Sequence, residues 1–396
     1  MKIIISHPGT QHSQKVHGAL MRRYDSTLYT RLFIKSEKII NLLSKSPKLK
    51  RLLKNRFNKE LANVETLYTV SEVILIIMNQ LKLFKIREFY HFYSQLKFGT
   101  KVAKKVEDGS VFYGFDTSSL KAFEYLNKNK KCIKILDVSN PNFLLDDSKF
   151  ERSYIEKKKM LVARKELELA DYIIVASSYS KMLVANAGIS EERIFLVPYG
   201  FSQFSERNYL ESLDDKRNTV LNLLYVGNVS RLKGIDFLFE ALNDIAHIDF
   251  QLTIVGNITP SFQDFIKGFT PKFRYSLVGY SRNVEQYYKN CDLFIFPTMS
   301  DGFGQVILEA ISYGALVASS VNSVAPDLII DHKNGYLFEY GDKEKLQRII
   351  KEVILNKNDN RELTIQAINA LKNYTVENYH ANINSVIEQM ISVKSH

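Results

Sequence analysis

The sequence predicts an α/β protein of two domains, each built on a parallel sheet covered by helices. Two series of short apolar runs alternate with helical patterns, one series in each half of the 396-residue chain. The length also suits two cores at roughly 100–200 residues per domain. An apolar content of 45% with ordinary numbers of Gly and Pro excludes disordered and collagen-like chains.

The predicted strands of the second half are the more regular set. Three of them end in turn residues, at Gly227-Asn228, Gly256-Asn257 and Pro297-Thr298. Because open α/β sheets bind ligands at the carboxyl ends of their strands, we expect the functional site at these turns. The runs that predict strands are 3–6, 111–113, 133–136 and 172–176 in the first half, and 222–226, 251–255, 293–296 and 316–318 in the second.

A boundary between domains is predicted at Val197-Pro198-Tyr199-Gly200, which a polar tract follows. We therefore expect a first domain over 1–199 and a second over 200–375. The last residues, about 376–396, have an apolar stripe at helical spacing and predict a helix that packs back on the first domain.

Positive charge is concentrated in the first half. The net charge of +11 divides into +15 for residues 1–200 and −4 for 201–396. This asymmetry favours an anionic partner such as phospholipid, a phosphorylated acceptor or nucleic acid, with a general bias toward Lys as the alternative. No zinc-finger, RNP-like or helix-turn-helix pattern occurs, so we expect no nucleic acid partner.

The basic excess includes a cationic amphipathic helix predicted near 47–59. Such a helix suits an anionic membrane surface, but an ordinary domain helix with a solvated basic face fits equally well. The apolar run 73–78 has only six residues and is too short to span a bilayer, so this run and the aromatic, Lys-rich segment 81–98 are predicted as core helices.

Cys132 and Cys291 lack any metal-binding or redox spacing and are predicted to be free thiols in a reducing compartment. The amino terminus lacks the apolar core of a signal peptide. We therefore expect a cytoplasmic protein. The basic helix adds the hypothesis that it attaches peripherally to the inner face of the plasma membrane.

The segment 293–314 is the most informative for chemistry. It predicts a buried strand, a turn over Gly302–Gly304 and a helix whose N-terminal amides favour anions and hydroxyl oxygens. Asp301 in the turn suits sugar hydroxyls, and Glu309 suits the paired hydroxyls of a ribose, because a carboxylate among apolar residues needs donors. An exposed helix Glu with a capping Asp is the structural alternative.

These residues resemble a known family. Asp301 and Glu309, with seven residues between them, lie within Pro-Thr-x-x-Asp-Gly-Phe-Gly and Glu-Ala-x-x-x-Gly and resemble the acidic-x7-Glu signature of retaining glycosyltransferases of group 1, glycosyltransferase family four. The family usually has Glu at the first position. The resemblance implies the GT-B fold, in which two Rossmann-like domains face a central cleft.

A second segment is similar to the family's Gly-Arg-x4-Lys-Gly turn. Gly227, Lys233 and Gly234 keep the family spacing, while Asn228 stands at the Arg position. The resemblance implies that Lys233 holds the nucleotide diphosphate, and Arg231 is a candidate for the missing charge.

Further matches extend the implied site. Gly9 lies in the family's first loop, and Tyr280 follows a segment that meets the base. The implied catalytic residues are Lys233, Asp301 and Arg231, and the implied donor-binding residues are Gly9, Asn228, Lys233, Tyr280, Gly302, Phe303, Gly304 and Glu309. The histidine that the family often places on the first domain is missing at its usual strand ends, which leaves Asp116, Asp137, His7 and His12 as candidates there.

The resemblance implies a retaining hexosyltransferase that moves a sugar from a UDP- or GDP-sugar to a glycan acceptor, lipid-linked, in bacterial surface polysaccharide synthesis. No Asp-x-Asp occurs, so we expect neither a metal nor another cofactor. The alternatives are a GT-B sugar-nucleotide epimerase or hydrolase, a non-catalytic nucleotide-sugar-binding subunit and a nucleic-acid-binding protein.

Overall fold

The computed structural model describes residues 1–9, 12–34, 36, 53, 56–145, 153–201 and 220–394. Most of the predicted basic helix and most of the polar tract after Gly200 lie outside these residues. The chain divides into two compact units. The first unit comprises Met1–Val175, Leu183–Val197 and Tyr379–His396, and the second comprises Ala176–Met182 and Pro198–Asn378.

The first unit contains a seven-stranded parallel sheet in the order β3-β2-β1-β4-β5-β6-β7. The order reverses between β1 and β4, which is the usual position of a ligand site in a doubly wound sheet. The strands are β1 Lys2–Ser6, β2 Asp25–Thr30, β3 Val64–Thr66, β4 Val111–Phe115, β5 Ile133–Val138, β6 Tyr172–Val175 and β7 Ile194–Leu196.

The second unit repeats this topology with six parallel strands in the order β10-β9-β8-β11-β12-β13. Leu223 and Tyr225 of β8 belong to the core on one face of the sheet, and Leu224 and Val226 belong to the core on the other. Burial on both faces explains the continuous apolar runs in the sequence. The strands are β8 Leu221–Val226, β9 Phe250–Val255, β10 Arg274–Gly279, β11 Leu293–Phe296, β12 Val317–Ser320 and β13 Tyr336–Phe338.

Two of the helices begin at side-chain caps. Ser153 and Glu156 form a reciprocal capping box at the start of α5, and the Asp342 carboxylate accepts the Lys345 N–H at the start of α12. In chain order the helices are α1 Ser13–Leu20, α2 Thr69–Gln80, α3 Phe84–Ala103, α4 Leu120–Asn129, α5 Tyr154–Leu169, α6 Ser178–Asn186, α7 Ile235–Asn243, α8 Pro260–Gly268, α9 Glu285–Asn290, α10 Gln305–Ser312, α11 Ala325–Leu328, α12 Lys343–Leu355, α13 Lys357–Leu371 and α14 Val376–Lys394.

Helices α2 and α3 form a hairpin whose outer side is apolar. The predicted helices over 73–78 and 81–98 are present, but their assignment to the core is wrong for much of their length, because a row of large side chains faces solvent. Only Ser71, Glu72 and Leu75 of α2 are buried. The exposed residues are Val70, Val73, Ile77, Leu81, Leu83, Phe84, Ile86, Phe89 and Tyr93.

The carboxyl-terminal helix α14 belongs to the first unit from Tyr379 onward. Its Ile383, Ile387 and Met390 are fully buried. The Asn384 amide donates to the carbonyl of Ala19, 3.1 Å away, and so connects α14 to α1. Within the described parts of the chain, no helix has the length and apolar content that a bilayer crossing requires.

Candidate functional site

The loop after β8 is shaped by glycines that admit close backbone contacts. Gly234 has a φ of +71°, and a Cβ at this position would lie 1.8 Å from the carbonyl oxygen of Pro297. A Cβ on Gly256 would lie 1.8 Å from the carbonyl oxygen of Gly227. The loops after β8, β9 and β11 therefore pack against each other at the carboxyl edge of the second sheet, at the point where the strand order reverses.

The loop after β11 is anchored on both sides by hydrogen bonds. The amide of Met299 donates to the carbonyl of Leu232 at 3.0 Å. The Ser320 hydroxyl donates to the carbonyl of Thr298 at 2.6 Å, and the Asn322 amide donates to the carbonyl of Met299 at 2.8 Å. These bonds fix the backbone that leads into Asp301.

Lys233 and Asp301 form an ion pair at this edge. The Lys233 Nζ lies 2.7 Å from Asp301 Oδ2 and 3.0 Å from the carbonyl oxygen of Ser300. Both side chains are largely buried, at 16% and 23% exposure. The ammonium has three N–H donors, and two are engaged by described residues, so one is left for a ligand oxygen.

The turn over Gly302–Gly304 is held from two directions. The Gly302 carbonyl accepts from the hydroxyls of Ser177 and Ser180, at 2.7 and 2.8 Å. Asp301 Oδ1 accepts the amide of Phe303 at 3.0 Å. Gly304, whose φ is +85°, precedes helix α10, and no side chain of the described residues caps the helix. The Ile307 amide donates to the Gly304 carbonyl at 2.9 Å, which leaves the amides of Gln305 and Val306 for an anion or a hydroxyl oxygen.

Glu309 lies in the second turn of α10, between fully buried Leu308 and Ala310. Burial raises the pKa of its carboxyl, although the Tyr288 hydroxyl donates to Oε2 at 3.3 Å and opposes the shift. Among the described residues, the hydrogen bond from Tyr288 is the only one to the Glu309 carboxylate, and it is long. The carboxylate can therefore still accept hydrogen bonds from the hydroxyls of a ligand.

Three other predicted residues have different surroundings. Arg231 is 71% exposed and pairs with Asp236 at 3.0 Å, rather than with the Lys233–Asp301 pair. Asn228 accepts from the Tyr225 hydroxyl through its backbone carbonyl, at 2.7 Å. Tyr280 is exposed, just beyond the end of β10. Their predicted roles stay predictions.

Gly9 belongs to the first unit, in the loop after β1. Its amide donates to His7 Nδ1 at 3.0 Å, and its carbonyl accepts from the Thr30 hydroxyl at 3.1 Å. These bonds hold the loop against the carboxyl edge of the first sheet.

The same edge carries a second polar cluster, around Asp137. His12 Nε2 lies 2.8 Å from Asp137 Oδ2, and the Tyr113 hydroxyl donates to the same oxygen at 2.6 Å. Burial raises the pKa of neighbouring Asp116 to about 6, against two hydrogen bonds from Ser139. His12 and Tyr113 therefore both bind Oδ2 of Asp137.

Ser177 and Ser180 have a positioning role that the sequence interpretation missed. They belong to the short segment Ala176–Met182, which groups with the second unit although it follows β6 of the first. The only signal in the sequence is the group Ser177, Ser178 and Ser180 after a strand, and serines in that position are common in surface loops. Separately, no three His, Cys, Asp or Glu side chains of the described residues are grouped as a metal site.

Comparison with known proteins gives a family match over the second unit. Residues 212–370 match the family model described as Glycosyl transferases group 1. A protein of the capsule (cps) region of Klebsiella pneumoniae is 26% identical over 61% of this chain and 66% of its own length. The capsular polysaccharide biosynthesis glycosyltransferase CapM of Staphylococcus aureus is 25% identical over 47% of this chain and 54% of its own length. The chain thus spans about half to two thirds of these relatives.

Structural likeness extends over nearly the whole chain. The crystal structure of Anabaena HepE in complex with UDP and glucose covers 98% of this chain and 100% of its own, with a TM-score of 0.64 and 17% identity. With the two parallel sheets, this likeness confirms the predicted GT-B fold. The family match thus concerns residues 212–370, and the structural likeness concerns the fold alone.

Proposed function

We propose that the chain is a retaining hexosyltransferase of glycosyltransferase family four. It moves a sugar from a nucleotide diphosphate sugar to a lipid-linked glycan acceptor in bacterial surface polysaccharide synthesis. The observation that carries this proposal is the Lys233–Asp301 pair, which lies beside the Gly302–Gly304 turn at the carboxyl edge of the second sheet.

Lys233 has the larger electrostatic role in the proposed reaction. As the bond between the sugar and the phosphate oxygen breaks, negative charge grows on the departing diphosphate. An ammonium held in advance by Asp301 and the Ser300 carbonyl stabilises that charge without reorganisation. The acceptor hydroxyl forms the new glycosidic bond, and its proton leaves with the departing phosphate.

The other residues of the site orient the donor. Asp301 and the free amides at the start of α10 suit the sugar hydroxyls, and Glu309 suits the ribose. This division of roles needs no metal to bridge the phosphates. Full activity in the presence of EDTA is therefore expected.

The names of two relatives support the choice of pathway. The Staphylococcus aureus relative is named a capsular polysaccharide biosynthesis glycosyltransferase, and the Klebsiella pneumoniae relative is named a protein in the cps region. UDP is bound in the HepE structure, which favours a UDP-sugar over a GDP-sugar as the first donor to test.

The test is a transfer assay with UDP-sugars and lipid-linked glycan acceptors, in which proton NMR reads the anomeric configuration of the product. We expect an α-linked product from an α-linked donor, formed far more slowly by Lys233→Ala. An inverted anomeric centre would contradict retention. Nucleotide release that is equally fast without acceptor would identify a hydrolase or epimerase instead.

We propose that the enzyme reaches its acceptor by docking the α2–α3 hairpin on an anionic membrane. Val73, Ile77 and Phe84 are large apolar side chains exposed at 46–60%, in the half of the chain that carries a net charge of +15. Apolar insertion together with basic attraction is how interfacial helices bind lipid.

Flotation with vesicles of phosphatidylcholine and phosphatidylglycerol tests this docking. Ile77→Glu combined with Phe84→Glu is expected to abolish flotation. The control is Leu355→Glu, which places a charge on an exposed apolar residue of the second unit. Equal flotation of the hairpin variant and the control would contradict docking through the hairpin.

A further inference from the structure

The first unit has a pocket of about 420 Å³ at the start of helix α2. It lies beyond the carboxyl ends of β2 and β3, because the Thr69 hydroxyl donates to the carbonyl of Arg31 at 3.0 Å, and β3 ends at Thr66. Its lining residues are Leu67, Tyr68, Thr69, Val70, Ser71, Tyr90 and Lys101. None of the residues argued above to bind the donor belongs to it.

The start of α2 presents backbone donors to this pocket. Tyr68 precedes the helix in a left-handed conformation, with a φ of +62°, and its side chain makes no capping hydrogen bond. The amides of Ser71 and Glu72 donate to the Tyr68 carbonyl. Those of Thr69 and Val70 have no acceptor within the described parts of the chain. A 12-residue helix with free amides in its first turn attracts an anion.

An independent feature of the pocket is the Ser71 hydroxyl. The residue is 4% exposed and lines the pocket, and its Oγ has no hydrogen-bond partner among the described residues. A buried hydroxyl without a partner costs about 1–3 kcal/mol, so a ligand that accepts its proton would relieve that cost.

A cation completes the pocket. The Lys101 Nζ lies 4.9 Å from the centroid of the Tyr68 ring and is thereby held at the pocket wall. Among the residues that the structure describes, no Asp or Glu lines the pocket. The nearest acid in sequence, Glu72, is engaged by Arg56 and lies 3.7 Å from Arg31. The pocket therefore combines amide, hydroxyl and ammonium donors without a competing carboxylate.

We infer that this pocket binds a phosphate monoester through the Thr69 and Val70 amides, the Ser71 hydroxyl and the Lys101 ammonium. A phosphate offers several strong acceptor oxygens, which matches this set of donors. Val70, which is 73% exposed, both lines the pocket and begins the apolar face of the hairpin. A phosphate at the head of a lipid would therefore sit in the pocket while its chains meet the apolar face. This identification of the source rests on the proposed function, whereas the phosphate site itself does not.

The experiment measures binding of methyl phosphate to the full chain by calorimetry, and binding to phosphatidylcholine vesicles with and without phosphatidic acid. We expect Lys101→Met and Ser71→Ala each to weaken methyl phosphate binding, Lys101→Met by about tenfold or more, because one hydrogen bond to a charged group is lost. Lys101→Arg is expected to restore most of the affinity. The control is Lys128→Met, which removes one positive charge from an exposed residue of α4 outside the pocket. It is expected to leave methyl phosphate binding unchanged.

Absence of methyl phosphate binding to the wild-type chain would overturn the site, and so would equal binding by Lys101→Met. Binding only to phosphatidic acid vesicles, unaffected by Lys101→Met, would assign the effect to general membrane attraction and would also overturn it. UDP binding, measured on the same samples, separates the two proposals. If the wild-type chain binds methyl phosphate but does not bind UDP, the proposed function is contradicted and the phosphate site stands.

Discussion

The carboxyl edges of the two sheets differ in what borders them. At the second sheet, backbone contacts at Gly234 and Gly256 and an ion pair between Lys233 and Asp301 fix the loops in place. Hydrogen bonds also hold the Gly9 loop at the first sheet, but an exposed helical hairpin and an open pocket border that edge. Closely packed loops suit a ligand of constant chemistry, such as a nucleotide diphosphate, whereas an open edge with apolar and cationic groups suits a variable acceptor.

The largest expected difference concerns two glycines with similar φ. Gly234→Ala places a Cβ 1.8 Å from the Pro297 carbonyl oxygen at a φ of +71°, whereas Gly109→Ala meets nothing within 4 Å at a φ of +78°. We expect Gly234→Ala to lower the free energy of unfolding by about 2–5 kcal/mol, and Gly109→Ala by about 1–2 kcal/mol. Urea denaturation measures both, and equal losses would show that the close packing of the second edge contributes nothing.

The next effect is catalytic. Lys233→Ala is expected to lower kcat about 100- to 1000-fold, the usual loss when a preorganised charge-stabilising donor is removed. Arg231→Ala tests the predicted auxiliary role of that side chain, for which we expect a loss of only about threefold, since an exposed charge is screened by solvent. Steady-state transfer rates compare the two variants. If Arg231→Ala lowers kcat more than Lys233→Ala does, Arg231 rather than Lys233 is the main charge-stabilising residue.

A smaller effect is expected from the segment that holds the Gly302 turn. The double variant Ser177→Ala, Ser180→Ala leaves the Gly302 carbonyl without its two donors and is expected to cost about 1–3 kcal/mol of unfolding free energy. The KM for the donor should rise as the turn loosens. Ser392→Ala on α14, an exposed serine, is the control. An unchanged KM would remove the positioning role from these serines.

The smallest effect belongs to the first unit and concerns pH. Burial, with the nearby charges of Arg31, Arg87 and Lys159 and of His7, lowers the pKa of His91 to about 4. The unfolded chain takes up this proton near pH 6.5, so the folded state loses stability as the pH falls from about 6.5 toward 4.

At pH 5 the loss attributable to His91 is expected to be about 1 kcal/mol, after allowance for its partial exposure. Urea denaturation at pH 7 and pH 5 should show this loss in the wild-type chain and less of it in His91→Gln. An identical pH dependence of the two would contradict the lowered pKa.

How much the sequence could reveal also differs between the two edges. Central strands such as β4, β8 and β11 are buried on both faces and appear as apolar runs, so they were predictable. The strands β3, β7, β10 and β13 lie at sheet edges and are short or partly exposed, and β2 begins with polar residues, so none of them stands out in the sequence. The fold was nevertheless predictable, because the central strands determine its class.

For the site, spacing identified residues that share one loop, such as Asp301 and Gly302, and the structure brings Lys233 to them. Spacing could not show that Arg231 pairs with Asp236 in the first turn of α7, because spacing does not fix the direction of an exposed side chain. The exposure of the α2–α3 hairpin was also unpredictable. Its apolar residues have the composition of a core helix, and only the tertiary structure shows which of them lack a covering element.

We propose that the second unit binds a nucleotide diphosphate, with Glu309 on the ribose. Calorimetry of UDP and GDP without metal, on the wild-type chain, Glu309→Gln and the exposed control Glu344→Gln, tests it most directly. We predict binding of one nucleotide by the wild-type chain and the control, and at least about tenfold weaker binding by Glu309→Gln, because hydrogen bonds to a charged acceptor are lost. Binding of neither nucleotide, or equal binding by Glu309→Gln, would contradict the claim.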